Sequence, residues 1–199
     1  MPSLETSAVV INVVGVWLTA RRSMMCWPIG MVGVLLYLRQ FYIWHLYGDM
    51  ILQGIYIIIL AYGWYSWSIS KKNHELPNYI QPTLKTRLFR ELGFTVCVAA
   101  PVGWVFAYFT NDPQPYIDSL LMCLSLLASI WTTRKYIENW ILWIIVDFIY
   151  ALLFLYREDT LTACLYIIFG ILAVYGAYKW KHDHILLLHP TKTSNQCLS

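Results

Sequence analysis

"YGWYSW", residues 62–67, closes one long apolar run and returns as "YGAYKW" at residues 175–180, 113 positions later. The same offset brings other residues into register without a gap. Thr19, Arg21, Trp27, Tyr37 and Phe41 fall on Thr132, Arg134, Trp140, Tyr150 and Phe154. Tyr62, Gly63, Tyr65 and Trp67 fall on Tyr175, Gly176, Tyr178 and Trp180. An aromatic-rich chain produces some matches by chance, but one offset shared across three apolar segments reads as a duplication. Two copies of a three-segment unit are therefore expected.

Composition says what those segments are. Of 199 residues, 59% are hydrophobic and 13% charged, about half the charged share of ordinary soluble domains. Ten Trp and fifteen Tyr contribute to an aromatic share of 17%, and runs such as "MILQGIYIIILAYGWY" (50–65) have little polar sequence between them. This describes an all-α, multi-span membrane protein. Runs able to cross roughly 30 Å of hydrocarbon predict seven transmembrane helices, at about 4–20, 24–46, 48–69, 90–110, 116–133, 137–156 and 160–180. The one substantial loop is 70–89, "SKKNHELPNYIQPTLKTRLF", and the chain after Lys181 reads as a free polar tail. The start, "MPSLETS", shows no basic n-region and no cleavage site follows, so no cleaved signal peptide is expected. Cys26, Cys97, Cys123, Cys164 and Cys197 have no paired spacing, which suggests neither a disulfide framework nor a zinc site.

Lysine and arginine set the orientation. Arg21 and Arg22 follow the first helix; Lys71, Lys72, Lys85, Arg87 and Arg90 follow the third. Arg134 and Lys135 follow the fifth, and Lys179, Lys181 and Lys192 the seventh, so twelve of fourteen basic residues share one side. The other side has "YGD", "NDPQP" and "REDT" with only Arg157, and Arg39 lies inside the second helix. The N-terminus is expected outside and the C-terminus in the cytoplasm. Copies joined by one extra helix keep the same orientation. That is a parallel repeat in a 3+1+3 layout, similar to sugar transporters of the SWEET type. Repeat 1 spans about 4–69, the linker helix about 90–110 and repeat 2 about 116–181, in one membrane domain over 1–181 with a cytoplasmic tail over 182–199. Such repeats place a substrate path at their interface.

"TRKYIENWILWIIVDF" (133–148) carries the chemistry. On a helix, Asn139, Trp143 and Asp147 recur every fourth residue, with Trp140 beside them, opposite Ile141, Leu142, Ile145 and Phe148. A carboxylate at mid-bilayer costs about 3 kcal/mol or more, so the stripe is expected to face protein or water. It reads as a wall of a translocation route, or more plainly as interhelical hydrogen bonds with an interfacial Trp belt. The duplication favours the route, because Asn139, Trp143 and Asp147 fall on Cys26, Gly30 and Val34, and a purely architectural stripe would more often be copied.

Other positions contribute less. Gln53 and Tyr56, with Trp64 and Tyr65 nearer the inner end, are placed to complete a binding cage. Trp67 and Trp180 read as twin interfacial anchors. Asp118 is either a gate residue or an N-terminal cap, and Arg39 either snorkels outward or pairs with a buried carboxylate. Pro101 is expected to kink the fourth helix. His74, His182, His184 and His189 lie in the inner loop or tail, so no haem pair is expected in the bilayer. With no Walker loop and no nucleophile–base motif, neither an enzyme nor an ATP-driven pump is indicated, and no cofactor or metal is expected. The rival of another class is a membrane-embedded binding subunit served by a separate ATPase.

Together, "LYGDMILQGIY", "YGWYSW", "TNDPQPYIDS", "TRKYIENWILWIIVDF" and "YGAYKW" resemble the PnuC family of bacterial vitamin transporters over helices two to seven. The resemblance implies facilitated diffusion of nicotinamide riboside across the bacterial inner membrane, trapped by a cytoplasmic kinase that need not touch the transporter. Related branches carry thiamine or riboflavin. By the resemblance, Asn139, Trp140 and Trp143 match the family's substrate-binding motif. Ser129 stands where the family often has Gln, which leaves the vitamin open. Nicotinamide riboside and thiamine are flat cations, which Trp faces attract by roughly 0.5–2 kcal/mol each; Asn and Gln suit their amide or hydroxyls, and one carboxylate balances the charge. The oligomeric state, including a homo-oligomer, stays open.

Overall fold

The computed structural model describes residues 2–43, 47–72, 82–110 and 113–188. They form seven α-helices: α1 (Pro2–Ala20), α2 (Cys26–Ile43), α3 (Tyr47–Lys72), α4 (Lys85–Phe109), α5 (Pro115–Thr133), α6 (Glu138–Tyr156) and α7 (Thr160–Leu188). Helices α2 to α7 are long and apolar enough to cross a membrane, while α1 contributes a shorter apolar stretch, Val9–Ala20. Large apolar side chains stand exposed along them, among them Ile58, Phe94 and Leu161. A helix whose backbone bonds are satisfied internally can present such a surface to lipid. The chain is an all-helical membrane protein. His74, Asn111, Asp112, His189, Lys192 and Cys197 lie outside the described residues.

Two helices run further than their hydrophobicity predicts. α4 begins at Lys85 rather than near 90, because polar contacts pin its first turns to the α5–α6 turn. The Thr83 N–H donates to Glu138 Oε1 at 3.0 Å, and Arg87 Nη1 to the Tyr136 hydroxyl at 2.8 Å. Glu91 accepts from Trp131 Nε1 at 2.6 Å and from Arg134 Nη1 at 3.0 Å. α7 continues past Lys181 to Leu188 where a free tail was expected, and Asp183 on this extension ion-pairs with Arg22. Pro101 sits within one continuous α4, which is fastened to α5 nearby by the Ser119 hydroxyl donating to the Ala99 carbonyl at 3.1 Å.

The duplication is visible atom by atom. α1 and α5 end in the same cap: the Arg22 N–H donates to the Thr19 carbonyl at 2.9 Å and Ser23 N–H to Leu18 at 3.0 Å. In the second half Lys135 N–H donates to Thr132 at 3.1 Å and Tyr136 N–H to Trp131 at 3.1 Å. This paired pattern is the Schellman motif, which needs a left-handed residue after the helix; Arg22 and Lys135 both have φ 57°. Side chains that usually avoid this region hold it at both sites, at a cost of order 1–2 kcal/mol each. A third such cap ends α6, with Glu158 at φ 60°. There Asp159 then caps α7, accepting from the Thr162 N–H at 3.1 Å and from its hydroxyl at 2.6 Å, and these bonds lower the Asp159 pKa.

Contacts between the halves are exchanged. Trp67 Nε1 on α3 donates to the Thr133 carbonyl at the end of α5 (3.1 Å), and Trp180 Nε1 on α7 to the Ala20 carbonyl at the end of α1 (3.2 Å). Donors and acceptors are each 113 residues apart, so each half gives the other the bond it receives. Likewise Arg22 pairs with Asp183, and Lys135 Nζ donates to Ser70 Oγ at 3.2 Å. The Trp67 and Trp180 rings meet at 6.3 Å between centroids. The C-terminal ends of α1, α3, α5 and α7 thus converge on one cluster. Trp67 and Trp180 are not the interfacial anchors expected from their depth: they are 3% and 0% exposed, because their N–H groups reach across the seam.

Each of these indoles also packs edge-on against a partner in its own half, Trp67 on Trp27 at 5.1 Å and Trp180 on Trp140 at 5.4 Å. The partners lie flat on glycines. A Cβ at Gly63 would come within 2.1 Å of Trp27, and one at Gly176 within 2.6 Å of Trp140, whereas Gly54 has open space. Gly63→Ala and Gly176→Ala are expected to lower the unfolding temperature of the detergent-solubilised protein, by the roughly 1–3 kcal/mol of overpacking, with Gly54→Ala as the harmless control. Equal unfolding temperatures for all three would show that this packing does not hold the helices.

Candidate functional site

α6 packs between α5 and α7, so its buried arc is wide. Asn139 is 0% exposed, Trp140 2% and Asp147 4%, while Ile141, Ile145 and Phe148 are exposed. Trp143 is half-buried and touches the tryptophan cluster as well as the core of the second half. Leu142, expected on the opposite face, is buried with Trp131, Tyr136 and Val146, because α5 covers that side of the helix.

The stripe divides into two levels. At the level of the tryptophan cluster Asn139 is engaged by protein: its Oδ1 accepts from the Thr132 hydroxyl at 3.2 Å, and its Nδ2 donates to the Tyr136 carbonyl. Trp140 belongs to the cluster of Trp27, Trp67 and Trp180. The Nε1 atoms of Trp27 and Trp140 are buried with no hydrogen-bond partner among the described residues. Leaving a buried donor unmet costs about 1–3 kcal/mol, so these two related positions hold donors ready for an acceptor.

Asp147 occupies the second level, about two turns or roughly 10 Å further along α6 than Trp140. A Cβ at Gly170 on α7 would lie 3.9 Å from the Asp147 Cβ, so the glycine lets α7 approach the carboxylate. Tyr150 follows Asp147 by three residues on the same side of α6, with Tyr166 of α7 beside it. They stack at 4.6 Å between centroids, with Phe154 continuing the stack onto Tyr166 at 5.4 Å. Tyr56 comes from α3, which packs on α5, where the Ser125 hydroxyl donates to the Leu121 carbonyl at 2.8 Å. Tyr37 on α2 is close enough to act on Tyr166. The buried carboxylate therefore lies beside stacked tyrosines of α6 and α7.

The expected residues are sorted accordingly. Asp147 is buried on α6, while Tyr56 and, one turn before it, Gln53 are half-buried on α3. Trp64 and Tyr65 are 43% and 65% exposed and stand apart from the group. Asp118 is neither free nor the cap: the cap position of α5 is Gln114, and Asp118 accepts from Arg157 Nη2 at 2.7 Å, joining the start of α5 to the end of α6. Arg39 is exposed on α2. Sequence reasoning passed over Ser125, Tyr150, Tyr166 and Tyr37, although the offset offered a signal: Tyr166 stands where the first half has Gln53, and Tyr150 where it has Tyr37.

Comparison with known proteins joins this geometry to a family. A family model described as nicotinamide mononucleotide transporter matches residues 3–182. The chain is 29% identical over 177 residues to the nicotinamide riboside transporter PnuC of Escherichia coli, covering 76% of this chain and 73% of that protein. It is 25% identical over 176 residues to the riboflavin/roseoflavin transporter RibM of Streptomyces davaonensis, covering 86% and 81%. Its fold matches the solved structure of the vitamin B3 transporter PnuC with a TM-score of 0.72 at 19% identity, over 92% of this chain and 82% of that one. The chain belongs to the nicotinamide mononucleotide transporter family, and it is a multi-pass membrane transporter, not an enzyme.

Proposed function

We propose that the protein carries nicotinamide riboside into the cell by facilitated diffusion, along a path between two parallel three-helix repeats joined by α4. The observation that carries this reading is the buried Asp147 carboxylate, three residues before Tyr150, whose ring stacks on that of Tyr166. A pyridinium ring is flat and positively charged. Tyrosine faces attract such a cation, the carboxylate neutralises it, and the hydroxyls near Ser125 suit the ribose. The name of the Escherichia coli relative supports the choice of vitamin. In this reading the N-terminus lies outside and the C-terminus in the cytoplasm, which the basic residues of the α1–α2 and α5–α6 turns support. In this orientation Trp67 and Trp180 close the cytoplasmic end, and the Arg157–Asp118 pair lies at the outer end.

Among the described residues Asp147 is the one buried carboxylate. Assigning it to the substrate leaves no second acid there for a coupled sodium ion or a proton relay. Net uptake then follows the substrate gradient, and a cytoplasmic kinase keeps that gradient inward. Vesicles reconstituted without any ion gradient are expected to equilibrate labelled nicotinamide riboside; uptake that requires an imposed sodium or proton gradient would contradict this.

Riboflavin is the second reading, favoured by the likeness to RibM. It is a neutral ring system and gains little from a carboxylate. Asp147→Asn is expected to weaken nicotinamide riboside binding by about 2 kcal/mol or more, as for a buried charge that loses its partner, and to spare riboflavin. Trp143→Ala is expected to cost roughly 0.5–2 kcal/mol by removing an aromatic face, with the exposed Ile145→Ala as control. Calorimetry on folded variants reads both, and equal losses from Asp147→Asn and Ile145→Ala would remove the site.

A further inference from the structure

Trp131 is 1% exposed in the core of the second half, and an indole N–H buried so deeply needs an acceptor. It finds one in Glu91 of α4, at 2.6 Å. The same carboxylate accepts from Arg134 Nη1 at 3.0 Å and stands 3.4 Å from Arg87 Nε. Arg87 Nη1 in turn donates to the Tyr136 hydroxyl at 2.8 Å, and the Thr83 N–H to Glu138 Oε1 at 3.0 Å. All four partners lie between the last turn of α5 and the first residue of α6. Leu88 and Leu92 of α4 pack on the same core. α4 lies along α5 and, among the described residues, against no helix of the first half. It links the repeats in sequence but belongs to the second in space.

The α5–α6 turn sets where the stripe of α6 begins. Asn139 Nδ2 donates to the Tyr136 carbonyl, and the Tyr136 N–H to the Trp131 carbonyl at 3.1 Å, so Asn139 hangs on two residues that α4 holds. The first half builds the same turn from the same backbone bonds. Arg22, Ser23, Cys26 and Trp27 donate to Thr19, Leu18, Ser23 and Met24, as Lys135, Tyr136, Asn139 and Trp140 donate to Thr132, Trp131, Tyr136 and Ile137. The side chains differ. Leu18, Ser23 and Met25 stand at the positions of Trp131, Tyr136 and Glu138, and Met25 is exposed. Arg21, the counterpart of Arg134, lies over the Trp17 ring at 4.4 Å. The ion pair of this turn runs from Arg22 to Asp183, across to the other half.

We infer that Glu91 is a positioning residue: through Trp131, Arg134 and Arg87 it makes α4 a brace that fixes the start of the α6 stripe. Its carboxylate gathers one neutral and two charged donors, and such charge-assisted bonds are the strong ones. Removing its charge releases Arg134 and Arg87 and loosens the turn on which Asn139 and Trp140 sit. The second half is then the fixed half of the carrier. The α1–α2 turn, which α4 does not brace, is the one that yields when the halves move. The part of the inference that concerns binding rests on the reading of the protein as a vitamin transporter.

Hydrogen exchange on the purified full-length protein in lipid nanodiscs tests it, because two turns with the same backbone bonds serve as probe and control. Glu91→Gln is expected to speed amide exchange over 135–140 about tenfold, the size of one hydrogen bond, and to leave 22–27 within about twofold. Calorimetry on the same variant, with nicotinamide riboside or with riboflavin if the wild type takes that instead, is expected to show binding about tenfold weaker. Arg134→Gln is expected to repeat both changes, and Arg134→Lys, which keeps a charge on Glu91, to avoid them. Should Glu91→Gln unfold, the two Arg134 variants carry the test. Unchanged exchange over 135–140, an equal rise in both turns, or faster exchange with unaltered binding would overturn the inference. A wild type that binds neither vitamin would instead sink the transport reading, and exchange alone would then decide whether α4 braces the turn.

Discussion

Two indole N–H groups, Trp67 to the Thr133 carbonyl and Trp180 to the Ala20 carbonyl, hold the two halves to each other. Each acceptor is a last-turn carbonyl, one of the groups a helix leaves unsatisfied inside itself. Each donor is an indole too large to be buried without a partner at little cost. In a membrane such a pair does more than in water, because no solvent competes for either group, although measured gains average below about 1 kcal/mol. The rest of this end of the bundle is arranged around the exchange. The left-handed Arg22 and Lys135 turn the chain sharply after the acceptor helices, and Gly63 and Gly176 let Trp27 and Trp140 lie flat behind the donors.

That symmetry makes the departures from it informative. Arg22 meets a carboxylate, Asp183, whereas Lys135 meets a hydroxyl, Ser70. Asp147 has Val34 as its counterpart, Tyr166 has Gln53, and Ser125 has Asn12. Packing around the tryptophan cluster is copied almost contact for contact, while the level around Asp147 is not. A duplicated frame with a specialised middle is what a carrier of an asymmetric molecule requires, since two identical half-sites would favour a ligand with its own two-fold symmetry.

Much of the fold was legible in the sequence because hydrocarbon thickness fixes helix length and the duplication fixes which helices correspond. What sequence reported poorly was direction around a helix. Trp67 and Trp180 lie at the depth of an interfacial belt, and depth alone cannot tell lipid from a neighbouring helix end. Leu142 was placed with Ile141 and Ile145 because a single stripe leaves only one opposite face, whereas a helix between two neighbours buries two sides. The burial of Asp147 was legible because a carboxylate in an apolar run must face protein or water. Tyr150, Tyr166 and Ser125 were missed because isolated tyrosines and serines are common in such runs and acquire meaning only when helices bring them together. The early start of α4 and the extension of α7 depended on polar contacts, to Glu138 and Tyr136 in one case and Arg22 in the other, that hydropathy does not register.

The claim on which the functional account stands is that the substrate sits at mid-membrane between the halves. A structure of the protein with nicotinamide riboside bound, determined in a lipid environment, tests it directly. The account predicts the pyridinium ring against Asp147 with Tyr150 or Tyr166 on its face and the ribose toward Ser125. A vitamin held only at the inner tryptophan cluster, or on the lipid-facing surface beside Trp64, would contradict it.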